Sequence, residues 1–224
     1  MEIWLDTCDI KAIDSASHFG FIYGITTNPT ILANAHSNYE HAIGELLEIQ
    51  DGPIAVQVTA ENAEDMIKQA LALHTFSDRI IVKIPVIKQG LIAMKSLSDE
   101  GVSIMATTIY QPNQALLAAL AGADYAAPYV SRMSDAGVDI YPALQMIMSA
   151  YKYYGFKTKI LAASLRTTDQ ITLCASMGIH AITLKTSLFA EFTADDPITL
   201  DCLNGFSEDW SARSHQKEAT TLSL

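Results

Sequence analysis

The sequence predicts an α/β fold, a (β/α)8 TIM barrel with an extra C-terminal helix, and three observations predict it. Eight short runs of β-branched and apolar residues recur along the 224-residue chain, near positions 2, 24, 54, 79, 102, 125, 159 and 180. The stretches between them carry apolar residues at three- and four-residue spacing, the period of an amphipathic helix. No G-x-G-x-x-G follows any run, so the main sign of an open dinucleotide-binding sheet is missing. Eight strand-helix units in about 190 residues fit a compact barrel better than a doubly wound sheet.

Taken in order, the first strand is EIWLD from Glu2 and the second is GITT from Gly24. SNYEHAIGELLEIQ then reads as a helix, followed by the third strand, IAVQV from Ile54. AEDMIKQALALH leads to RIIVKIPV from Arg79, and GLIAMKSLSDEG to VSIMATT from Val102. The sixth strand is YAAPYV from Tyr125; PALQMIMSAYKYYG separates it from KILAAS at Lys159, and the eighth is HAITLK from His180. Runs apolar throughout suit parallel strands covered on both faces. The segment 199–214, TLDCLNGFSEDWSARS, reads as the extra helix, although Gly205 is a poor helix former. Residues 215–224 form a polar tail expected to fray or to serve a subunit contact. The whole of 1–224 is read as one barrel domain, without linker, low-complexity tract or repeat beyond the β/α rhythm.

Bulk composition narrows the function. Fourteen Lys and Arg against 25 Asp and Glu give a net charge of -11, which repels polyanions and argues against nucleic acid. No apolar run approaches the roughly 20 residues that cross a bilayer, so no membrane role is expected. The N-terminal MEIWLDT lacks the basic and apolar regions of a secretion signal. Cys8, Cys174 and Cys202 are odd in number and widely spaced, as buried apolar residues would be. The expected compartment is a reducing cytoplasm.

Chemistry in such barrels gathers at the C-terminal ends of the strands. Polar residues fall there in every strand: Asp6; Thr26, Thr27 and Asn28; Gln57; Lys83; Thr107 and Thr108; Tyr129 and Arg132; Ser164 and Arg166; Lys185. Lys83 stands out because five aliphatic residues and a proline fill six of the eight positions from Arg79 to Val86 around it. Desolvation lowers the pKa of such a lysine and makes it an amine nucleophile, able to form a Schiff base with a ketone. The alternative is a lysine that snorkels outward or pairs with a carboxylate. Two roles fit Asp6: orienting a substrate hydroxyl or accepting its proton, and capping the helix that begins around residues 7 to 9. Gln57, Thr107 and Tyr129 can together hold one water as a proton carrier, or each can satisfy nearby backbone.

Arg132, Arg166 and the Ser164 hydroxyl, near helix N-termini late in the barrel, suggest a phosphate pocket, against the alternative of solvated surface arginines. His36 and His41 are five apart with no companion carboxylate motif, so no metal site is expected.

The motifs LDT at 5–7, GITTNPTIL at 24–32, VKIPV at 82–86, GLIAMKSLSDEG at 90–101, QALLAALAGADYAAPYVSR at 114–132 and ILAAS at 160–164 resemble the small transaldolase family, over residues 2 to about 213. Within it the chain looks most like the aldolase branch. The resemblance implies a cofactor-free Schiff-base mechanism on sugar phosphates. It makes Lys83 the Schiff-base lysine, Asp6 the acidic residue beside the donor hydroxyls, Thr26 and Asn28 the donor-binding pair, and Thr107 the strand-five threonine. Ser164 and Arg132 match acceptor-phosphate residues. It also implies a homo-oligomer, a pentamer or decamer, whose C-terminal helix reaches a neighbour.

Transaldolases of the family carry glutamate, phenylalanine and asparagine where this chain has Gln57, Tyr129 and Met105. All three positions resemble the branch in which glutamine, threonine and tyrosine hold a catalytic water. The expected activity is therefore cleavage or formation of fructose 6-phosphate from dihydroxyacetone and glyceraldehyde 3-phosphate. The alternatives are a transaldolase moving the dihydroxyacetone unit between sugar phosphates, and a non-catalytic phosphosugar-binding barrel. Two segments depart from the family pattern: Lys185 in ITLKT replaces a proline, and RMSDAGVDIYP at 132–142 lacks a glycine-rich turn.

Overall fold

The computed structural model describes residues 1–35 and 38–214. Its strands are β1 (Glu2–Asp6), β2 (Ile22–Thr26), β3 (Ile54–Gln57), β4 (Ile80–Pro85), β5 (Ile104–Ile109), β6 (Tyr125–Pro128), β7 (Lys159–Ala162) and β8 (Ala181–Leu184). They pair in parallel, in sequence order, and β8 returns to β1 to close the barrel. This is the (β/α)8 TIM barrel that the rhythm of apolar runs predicts. The helices α1 (Ile10–Ser17), α2 (Pro29–Ala33), α3 (Tyr39–Ile49), α4 (Ala63–Phe76), α5 (Lys88–Asp99) and α6 (Pro112–Leu120) alternate with the first six strands. They are followed by α7 (Val130–Asp135), α8 (Ile140–Tyr154), α9 (Thr168–Ser176), α10 (Thr186–Phe192) and α11 (Pro197–Ser214). Short α2 and α7 are additions directly after β2 and β6; both begin at the rim of the site.

Two compact units divide the chain, Met1–Phe189 and Ala190–Leu224. The first holds the barrel. The second contains α11, which begins two residues before the expected 199 because the Asp196 carboxylate accepts a hydrogen bond from Thr199 N at 3.0 Å and Pro197 suits the first helical position. Gly205 lies within α11 without ending it. The polar tail 215–224 falls outside the described residues.

Because strand side chains alternate between faces, every second residue points into the barrel. Trp4, Ala55, Ile81, Met105, Tyr125, Ala127, Leu161, Ala163 and Ala181 form that interior, with Tyr129 against it. Residues of the opposite parity, such as Leu5, Ile25, Val56, Val82, Ile104 and Ile160, join the helices in the larger outer core. Trp4 is completely buried and plugs the centre, its ring 5.6 Å from that of Tyr125. Its strand neighbour in β2 is Gly24, where an added Cβ would come 2.7 Å from the indole and 2.5 Å from Pro53 O. Glycine is required there by close approach.

The same parity puts Glu2, Trp4 and Asp6 on the inner face of β1, at the base, middle and mouth of the barrel. At the base the Glu2 carboxylate accepts from Tyr125 OH at 2.9 Å, Trp4 Nε1 at 3.2 Å and Lys159 Nζ at 2.5 Å.

Candidate active site

At the mouth, the alternation that buries Ile81 brings Lys83, two residues on, to the inner face of β4. Its Cα is level with Gln57 in β3 and Met105 in β5. Lys83 is only 5% exposed, and its Nζ donates to the carbonyl oxygen of Thr27 at 2.6 Å. Among the described residues no carboxylate comes within ion-pair distance of it. Burial pushes its pKa below the ordinary lysine value of 10.5, while the more distant Asp6 charge pulls the other way and is outweighed. A carbonyl acceptor, a dry surrounding and a distant rather than contacting carboxylate favour the neutral amine, the form that attacks a carbonyl.

Asp6 is half-buried, and its Oδ1 accepts from Thr26 Oγ1 at 2.7 Å. The capping role weighed for it belongs instead to Asp9, whose Oδ1 accepts from Lys11 N at 3.0 Å and Ala12 N at 3.2 Å. Asp6 is thus free of the backbone of α1 and faces the barrel interior. Thr26, fully buried, is also 2.6 Å from the Thr183 hydroxyl of β8. Sequence reading passed over Thr183, although the parity that singles out Lys83 also turns Thr183 inward.

Thr107 and Tyr129 meet through their hydroxyls at 2.9 Å, which brings together two of the three groups expected to share a water. The third, Gln57, is half-buried one strand from Lys83. Burial raises the Tyr129 pKa, opposed by the Thr107 hydrogen bond, and so keeps the phenol a proton donor. Asn28, expected to touch the donor, uses its Oδ1 to cap α2 by accepting from Ile31 N at 2.9 Å. Its side-chain amide N–H groups are not engaged by that cap.

On the late-strand side, the exposed guanidinium of Arg132 lies 5.2 Å over the Tyr129 ring, and its Nη1 donates to Tyr110 OH at 3.4 Å. Arg166 meets Asp135 in a bidentate pair, at 3.0 and 2.6 Å. Its fork is therefore occupied by a carboxylate three residues along α7 from Arg132. Ser164 is half-buried with φ at +59°, a strained left-handed position beyond the end of β7. Lys185 is exposed just past β8. Among the described residues no group of three His, Cys, Asp or Glu is arranged to hold a metal ion, and His36 lies outside them.

A cavity of about 720 Å3 opens at the opposite end of the barrel, around Glu2, Tyr23, Lys159 and His180. Its lysine is paired with a carboxylate, which leaves the mouth as the end with a nucleophile.

The family model described as Transaldolase/Fructose-6-phosphate aldolase matches residues 3–223. The chain belongs to this transaldolase/aldolase family. It is accordingly an enzyme of the transaldolase or aldolase type. Relatives named "Probable transaldolase" include one from Streptococcus equi subsp. zooepidemicus (strain MGCS10565), 38% identical over 212 residues, covering 95% of this chain and 99% of the relative. Another, from Streptococcus pyogenes serotype M2 (strain MGAS10270), is 37% identical over the same span and coverage. Among solved structures, inosine 5′ monophosphate dehydrogenase from Legionella pneumophila aligns with a TM-score of 0.60 at 18% identity. That match covers 84% of this chain and 58% of the other, and it shows a shared fold alone. Among the described residues no helix is long and apolar enough to cross a membrane.

Proposed function

We propose that the chain is a Schiff-base aldolase that cleaves or forms fructose 6-phosphate, with dihydroxyacetone and glyceraldehyde 3-phosphate as the other partners. The observation that carries this reading is the buried Lys83 amine, unpaired with carboxylate and lowered in pKa, on the inner face of the mouth. In the cleavage direction Lys83 Nζ attacks C2 of the ketose, and loss of water gives a protonated imine. Asp6 accepts the C4 hydroxyl proton as the C3–C4 bond breaks; the bonding pair moves toward the iminium nitrogen, and glyceraldehyde 3-phosphate leaves. A water held by Tyr129, Thr107 and Gln57 delivers a proton to C3 of the enamine, and hydrolysis of the imine releases dihydroxyacetone. Thr26 and Asn28 contact the donor hydroxyls. Arg132, Ser164 and Arg166 receive the phosphate, with Arg166 exchanging its Asp135 partner for the ligand.

The Thr107–Tyr129 hydroxyl pair supports acceptor-independent release, since it equips the site to position water over the enamine. Transaldolase activity is the second reading, favoured by the names of the relatives. Incubation with fructose 6-phosphate and no added aldehyde separates the two. Release of glyceraldehyde 3-phosphate is expected, whereas release only when erythrose 4-phosphate is present assigns a transferase. Borohydride reduction with dihydroxyacetone should leave an adduct on Lys83, and its absence defeats both. The reading extends to a cytoplasmic homo-oligomer, consistent with exposed Ile198, Leu203 and Phe206 along α11.

A further inference from the structure

The buried hydroxyl pair of Thr26 and Thr183 poses a problem of proton counting. Thr26 owns one hydroxyl proton, and its Oγ1 is bonded to both Asp6 Oδ1 at 2.7 Å and Thr183 Oγ1 at 2.6 Å. An ionised carboxylate has no proton to give, so the Thr26–Asp6 bond uses the proton of Thr26. The bond between the threonines must then use the proton of Thr183. Thr26 is 0% exposed and Thr183 5%, so water does not readily replace either donor.

We propose that Thr183 is a positioning residue, whose hydroxyl, acting through Thr26, holds Asp6 Oδ1 and leaves Oδ2 as the base toward the substrate hydroxyl. This rests on the aldol reading for its consequence in turnover, but not for its effect on Asp6 itself. Three strands converge in the relay: β8 gives Thr183, β2 gives Thr26 and β1 gives Asp6. A hydroxyl that already accepts a hydrogen bond donates a stronger one, so Thr183 strengthens the bond that stabilises the Asp6 carboxylate. The Asp6 charge acts on Lys83 from β4 and on Tyr129 beyond β6, and both groups are the same in every variant below.

The decisive comparison is Thr183→Val against Thr183→Ser. Valine keeps the branched shape and removes the hydroxyl; serine keeps the hydroxyl and removes the methyl. The carbon-13 NMR resonance of the Asp6 carboxyl, read at one fixed pH in the full chain, should move in Thr183→Val and keep the parent's position in Thr183→Ser. In fructose 6-phosphate cleavage kcat should fall about fivefold in Thr183→Val alone, with KM unchanged. A packing role predicts the reverse order, with serine impaired and valine unaffected, and that result overturns the proposal. So does an Asp6 carboxyl resonance that ignores both substitutions. Should Thr183→Val not fold, Thr183→Ala and Thr183→Ser differ by one oxygen and give the same contrast. A parent that forms no Lys83 adduct refutes the aldolase reading, while the Asp6 carboxyl resonance still decides the relay.

Discussion

The two ends of the barrel contain the same residue types with opposite consequences. At the base, Lys159 contacts Glu2 at 2.5 Å and lies over the rings of Tyr23 and Tyr125, at 5.9 and 5.4 Å. The Glu2 hydrogen bond raises its pKa. At the mouth, Lys83 has a backbone carbonyl as its partner, Asp6 acts on it only from a distance, and burial lowers its pKa. β1 supplies the carboxylate at each end, four residues apart. Burial with the acid held off, against partial exposure with the acid in contact, separates a lysine that can react from one that braces the barrel.

The comparison can be broken most decisively at Lys83. Lys83→Met should reduce turnover at least about a thousandfold and abolish the borohydride adduct. Its stability in urea should match the parent or exceed it by about 1 kcal/mol, because a buried amine gives way to an apolar chain of similar length. A variant that unfolds instead would give Lys83 the bracing role reserved here for Lys159. At the base the expected pattern is inverted. Glu2→Leu strands the buried Tyr125 hydroxyl and should cost about 2 kcal/mol in denaturant midpoint experiments, with kcat close to the parent value.

The smallest effect lies in pH. Lys83 has a depressed folded pKa, so the unfolded chain binds more protons between that value and 10.5, and stability relative to Lys83→Met should rise with pH across this window. Lys159 has a raised folded pKa. Its contribution is present below 10.5 and should fade only as pH climbs through the folded value. Urea titrations of the parent, Lys83→Met and Lys159→Met between about pH 7 and 11 should show these opposite tilts; parallel curves would remove the distinction between the two lysines.

Much of the barrel was legible because its signals are local: apolar runs define β1 to β8, and a lysine within RIIVKIPV stands out without any fold. Asp6 was ambiguous for a local reason, since Asp9 three residues on is the better cap. What escaped the sequence are pairings between distant positions. Thr183 joins Thr26 across 157 residues, Asp135 joins Arg166 across 31, and Lys159 joins Glu2 across 157. Threonine in HAITLK reads as a good strand former, and nothing nearby announces a partner. Counting strand parity on β8, as on β4, would have turned Thr183 inward beside Asp6; Asp135 had no such signal.

Glu2, Trp4 and Asp6 share one five-residue strand and one face of it. Adding or deleting a single residue between the outer two would swing one carboxylate toward the helices and offset the indole from Gly24. The brace, the plug and the acid are thereby tied to a common ruler. A change of length in this strand would therefore disturb both ends of the barrel and its centre at once.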